Sequence, residues 1–335
     1  MTVTATVESL LVDGALDVAD PGDGKTAERH VTLFDIARHH LVSVARIVEA
    51  HIDAVSILRA AGRVPRDGVV YGVWASTGPS ETTRLEHRCD PETDCATWTT
   101  VLNGTKPFAS GLGLVTRALV TAHPMRHEEA TNTAEPMLVD IDVDIDVSMQ
   151  SSIVTDLTNW STPALADSCT GSVRFVDHPV GADAVVGVPG WYLDRVGFWH
   201  GACGPAACWA GAAAGLVDAA EHLVDNDPHR RAHLGAMRSD VWALRAMLSA
   251  AGQEIDADPD DHWRARTRAL ALRHQVERTA SDILDRFGRA FGPRPFAHDA
   301  DINQRWLDVH LYLRQDHGER DLAVLGEPPP VHGDA

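Results

Sequence analysis

Phe108 and Ser110 lie two residues apart in the run 101–122, VLNGTKPFASGLGLVTRALVTA. Residues i and i+2 of an extended segment share a face, so an aromatic ring and a hydroxyl stand side by side there and can meet a flat ring. A second pair of hydroxyls, Ser76 and Thr77, ends the apolar run 69–75, VVYGVWA. Hydroxyls at a strand end either satisfy nearby turn amides or face a ligand. Asp299 directly precedes a helical run starting at Ala300, where a carboxylate is a good N-cap.

Other chemistry-bearing residues read as structural. Asp23-Gly24-Lys25-Thr26 resembles the end of a phosphate loop, but Ala19 stands five residues before Gly24 and no strand precedes it, so a solvated loop is expected. His39, His40 and His51 lack histidines and carboxylates at ligand spacing, which favours surface or packing roles. Asp140, Asp142, Asp144 and Asp146 alternate with apolar residues, so they would diverge along one face of a strand. That is the pattern of a solvated sheet face, not of a convergent calcium or magnesium site.

The elements that must position these residues fall into three blocks. Apolar residues at spacings of three to five predict one amphipathic helix over 35–61, stopped by Gly62. From 69 to about 188 the period changes to two, with turn residues between short runs, which predicts a β-rich domain. Asn103-Gly104 is a hairpin signal and would join two antiparallel strands. After Pro189-Gly190 the chain reads as helical: 197–223, rich in Gly and Ala and suited to the middle of a bundle, then 231–251, 261–287 and 300–317. Residues 1–30 are weakly patterned.

This order of blocks, with Asn103-Gly104-x-Lys106 followed by Phe108 and Ser110, resembles the acyl-CoA dehydrogenase family. The resemblance also rests on 168–180, SCTGSVRFVDHPV, and on Arg231-Ala232-His233-Leu234-Gly235, similar to the family's R-x-x-F-G. It implies an α+β fold with a shortened N-terminal helical segment (1–68), a middle β-domain, barrel or sandwich (69–190), and a C-terminal four-helix bundle (191–335). It also implies FAD. Phe108 would lie against the isoalloxazine, Ser110 near its N5, and Ser76 and Thr77 on the pyrimidine side, although the family's usual glutamate is missing from that loop. Arg231 would reach the flavin pyrophosphate, commonly across a subunit interface, a task that suits a guanidinium fork. Most of the family carries a catalytic glutamate just before the last helix, which here points to Asp299, with Asp301 in reserve. Asp is one methylene shorter than Glu, so its carboxylate falls short unless the loop moves inward.

The expected activity is FAD-dependent dehydrogenation of an acyl-CoA thioester, with an acceptor such as electron-transfer flavoprotein and a homo- or hetero-oligomeric assembly of the same fold. Two alternatives stand beside it: a non-catalytic subunit partnering an active homologue, and a flavin-dependent monooxygenase. The net charge of −19 over 335 residues argues against a nucleic-acid partner. Only Lys25 and Lys106 are lysines among the 29 Lys and Arg residues. Five cysteines without a CxxC pair suggest reduced thiols in a cytoplasmic protein, and the acidic N-terminus is not a signal peptide. The Gly/Ala-rich window 196–217 reads as a buried helix, not a membrane span.

Overall fold

The computed structural model describes residues 2–78, 82–89, 98–125, 135–143 and 152–329. The chain forms two compact units, one made of Met1–Leu16, Ala50–Thr162 and Ala166–Arg195, the other of Asp17–Glu49, Pro163–Leu165 and Val196–Ala335.

The first unit holds helix α1 (Val3–Val12), the C-terminal part of α3 (Val42–Ala60), strands β1 (Tyr71–Trp74), β2 (Arg84–Cys89), β3 (Trp98–Ala109), β4 (Arg117–Met125), β5 (Met137–Asp142), β6 (Ile153–Asp156), β7 (Gly171–Val180) and β8 (Val185–Val186), and α4 (Trp191–Asp194). The strands follow the order β6-β7-β3-β2-β4-β5-β8, with β1 pairing parallel to β4. Tyr71, Trp74, Leu85 and Phe175 fill its core.

Asn103-Gly104 does not form a hairpin. β3 runs through it, and β2 lies between β3 and β4. The left-handed freedom of Gly104, at φ 109°, produces an irregularity in the β3/β7 register, where a Cβ would come within 2.0 Å of the Thr82 carbonyl oxygen. Asp140 and Asp142 are not a purely solvated face either: the buried Arg117 guanidinium pairs with Asp140 at 2.8 Å and also with Asp142. Asp144 and Asp146 lie outside the described residues.

The second unit contains α2 (Thr26–His39), the start of α3, α5 (Val196–Gly201), α6 (Cys203–Leu223), α7 (Pro228–Ala257), α8 (His262–Phe291), α9 (Arg294–His298), α10 (Ala300–Tyr312) and α11 (Glu319–Leu325). α6 is central, touching α2, α7, α8 and α10. Its small residues make this possible: a Cβ on Gly211 would lie 2.0 Å from the Phe34 carbonyl oxygen of α2.

The helix expected over 35–61 is two helices, and Asp35 lies inside α2 rather than at a cap. α2 ends because His40 is extended, and Arg305 donates to the released carbonyls of Ala37 (2.9 Å) and His40 (2.7 Å). The weakly patterned N-terminus holds α1, capped by Thr2. The loop resembling a phosphate site is the start of α2, where the Asp256 carboxylate accepts from Gly24 N (3.1 Å) and Thr26 N (2.9 Å). A side-chain anion thus satisfies the amides at the start of α2. The helix expected over 300–317 ends at Tyr312, and α11 follows as a separate element.

Candidate functional site

In the first unit the ends of β1 and β3 are fastened together by side chains. Ser76 Oγ donates to the Pro107 carbonyl at 2.6 Å. Lys106 Nζ donates to Thr121 Oγ1 at 2.7 Å and to the Ser76 carbonyl at 3.2 Å, and Thr121 Oγ1 donates to the Ala75 carbonyl at 3.3 Å. Lys106 is 2% exposed, and burial pushes its pKa down to about 8. Trp74 Nε1 donates to the Ser110 carbonyl at 3.1 Å. A hydroxyl chain runs from Ser110 to Thr170 to Ser168, each step 2.8 Å.

Phe108 stands out from this fastened surface by the exposure of its ring. Its backbone sits at φ 54°, and its side chain is 62% exposed. A bulky residue in the left-handed region stores of order 1 kcal/mol of strain, and such strain concentrates at functional positions. The register shift between Lys106 and Ala109 breaks the alternation that would put Phe108 and Ser110 on one face: Phe108 turns outward, while Ser110 is half-buried and tied to Trp74 and Thr170. Thr77 is exposed just past the β1 end.

The structure therefore brings Ser76, Phe108 and Ser110 into one locality, with Thr77 next to Ser76. An outward aromatic ring beside the Ser76–Thr77 strand end offers a flat ring system such as a flavin a face to lie on. Lys106 and Thr121 complete the locality. Lys106 was visible in the sequence as a rare lysine and as the lysine of the Asn-Gly-x-Lys run; its burial depends on pairings of β3 that the hairpin reading did not contain.

In the second unit the expected residues stand apart from one another. Asp299 Oδ1 accepts from Ile302 N at 3.0 Å, an N-cap of α10. Arg231 is exposed near the start of α7; its Nε donates to the Asp225 carbonyl at 3.2 Å and its Nη2 to Asn226 Oδ1. The carboxylate that does precede the last described helix, α11, is Asp316, 6% exposed. It accepts from Gly318 N at 3.1 Å, and its Oδ1 lies 4.0 Å from Arg273 Nε. Arg273 also donates to the Gln315 carbonyl at 2.8 Å and lies 4.6 Å from the Trp209 ring centroid. The sequence reading missed Asp316 because α11 was not recognised, so "just before the last helix" was counted from α10.

The helical and β blocks define the acyl-CoA dehydrogenase fold. Among solved structures, butyryl-CoA dehydrogenase from Megasphaera elsdenii is similar with a TM-score of 0.75 and 14% identity, over 96% of this chain and 88% of that one. KijD3, solved with FMN and a dTDP-3-amino-4-keto sugar, also gives 0.75, at 19% identity over 97% and 86%. FMN-bound TdsC from Paenibacillus sp. A11-2 gives 0.73, at 15% identity over 97% and 94%. No protein-family model matches the chain, and no curated protein sequence is significantly similar to it. Among the described residues, no helix is long and apolar enough to cross a membrane.

Proposed function

We propose that the chain is a flavin-dependent oxidoreductase. The observation that carries this reading is Phe108, an exposed aromatic ring on a left-handed backbone beside Ser76 and Ser110. Phe108 would lie against the ring system, with Ser76 and Thr77 at its pyrimidine edge, while Ser110, tied to Trp74 and Thr170, would hold the strand behind Phe108. Bound flavin supplies a two-electron carrier; the protein orients it and excludes water.

Of the reactions this fold supports, oxygen insertion with reduced FMN fits these residues better than dehydrogenation of an acyl-CoA thioester with FAD. Dehydrogenation needs a carboxylate presented to the substrate α-carbon. Asp299 is engaged in capping α10, and Asp316 is enclosed between Gly318 N and Arg273. Arg231, the residue proposed for a pyrophosphate, already spends Nε and Nη2 on its own loop, which favours a monophosphate flavin. The similarity to FMN-bound KijD3 and TdsC supports the same choice.

The test is to add FMN and FAD, oxidised and reduced, to purified protein, and then to add oxygen or, anaerobically, acyl-CoA thioesters. The expected result is binding of reduced FMN, oxygen consumption, and no bleaching of bound flavin by any thioester. Bleaching by a thioester establishes the dehydrogenase instead; no flavin binding at all overturns both and leaves the partner-subunit reading.

A further inference from the structure

Lys106 is a buried cation whose Nζ hydrogen bonds go to neutral oxygens, Thr121 Oγ1 and the Ser76 carbonyl. Burying an ammonium without a counter-charge is expensive, and lysines are seldom fully buried unless paired. None of the strands around it compensates the charge among the described residues. β1 offers Ala75 and Ser76 through their carbonyls, and β4 offers the hydroxyl of Thr121, with His123 two residues on. β7 places Val173 opposite Lys106, next to the exposed Arg174; β2 carries exposed Arg84, and Glu86, which is engaged with Arg88 at 2.6 Å. Burial lowers the pKa of Lys106 to about 8.

The ammonium is also placed where it can act. It grips the carbonyl of Ser76, and the Ser76 hydroxyl returns to Pro107, the residue after Lys106. Lys106 therefore sets the position of the Ser76–Thr77 strand end and lies directly behind it.

We propose that Lys106 is a positioning residue that holds the Ser76–Thr77 end of β1 in its flavin-binding geometry and supplies the positive charge that makes the site prefer the reduced, anionic flavin over the oxidised, neutral ring. This rests on the flavin reading above. It assigns a use to a charge that core packing alone would not require, because a methionine of similar length fills the same space. Arginine keeps a charge but not the compact three-donor head of lysine.

The experiment compares dissociation constants for oxidised and reduced FMN, measured anaerobically from pH 6.5 to 9.5, in the wild-type protein, Lys106→Met and Lys106→Arg. Circular dichroism and thermal melts of each apo-protein report folding. Wild type is expected to bind reduced FMN at least about tenfold more tightly than oxidised FMN at pH 6.5, the scale of a charge-assisted interaction. That ratio should shrink as pH rises through about 8, where Lys106 loses its proton. Lys106→Met should show a small ratio with little dependence on pH in this window, while Lys106→Arg restores part of the preference and carries it above pH 9. A purely structural lysine would weaken both redox forms equally and leave the ratio unchanged. A folded Lys106→Met protein with the wild-type ratio and pH profile overturns the proposal while the flavin reading stands. A wild-type protein that binds neither redox form removes the flavin reading itself.

Discussion

Phe108 combines a cost and a use. Its φ of 54° is strained for a bulky residue, and its ring is largely exposed, so packing returns little for that strain. Phe108→Gly should relieve the backbone and stabilise the apo-protein by about 1 kcal/mol, seen as a higher melting temperature, while weakening flavin binding at least about tenfold. A fall in stability with unchanged flavin affinity would make Phe108 an ordinary packing residue. Lys106 gives a prediction of its own in the apo-protein. Its folded pKa of about 8 lies below the unfolded value of 10.5, so between those pH values the unfolded chain binds more protons and stability rises with pH. The full effect is about 3 kcal/mol, and Lys106→Met should flatten that rise in melts taken from pH 7 to 10. Asp299→Ala should cost about 1 kcal/mol, the usual value of an N-cap, and leave flavin affinity unchanged. Residue types were readable at this scale: an aromatic and a hydroxyl two apart, and a carboxylate before a helix. What they touch was not, because the burial of Lys106 and the engagement of Asp316 depend on strands and helices distant in sequence.

At the scale of elements, two glycines fix close approaches that no other residue allows. Gly104 lets β3 pass the Thr82 carbonyl, and Gly211 lets α6 lie on α2. Gly104→Ala adds both a steric clash and a disfavoured φ, and should destabilise the first unit by about 3 kcal/mol in denaturant melts. The same strand carries Lys106 and Phe108, so this variant should also weaken flavin binding. Patterns of period two and of three to four placed the β-rich and helical stretches well, since burial on one face imposes them directly. Breaks were harder to read. An Asn-Gly pair can make a turn or a bulge, and the choice at Asn103-Gly104 was made by β2, which lies between β3 and β4. The end of α2 at His40 depends on Arg305, which comes 265 residues later. The short α11 has no buried residue, so it lacks the apolar stripe that would announce it.

For the whole molecule, the order of blocks was legible because each block has its own hydrophobic period, and that order is enough to define the fold shared with butyryl-CoA dehydrogenase. The reaction is less legible, since one fold carries several chemistries and the residues that separate them are few. In the function proposed above, they are Asp299, which caps α10, and Arg231, bound to its own loop, both arguing against dehydrogenation with FAD. The most direct measurement of the central claim is an anaerobic titration of the purified chain with FMN, followed by flavin absorbance and fluorescence. One flavin per chain should bind, with a dissociation constant on the order of micromolar or tighter for the reduced form, and Phe108→Gly should abolish most of that affinity. Failure of the folded wild-type chain to bind FMN or FAD in either redox state would contradict the account.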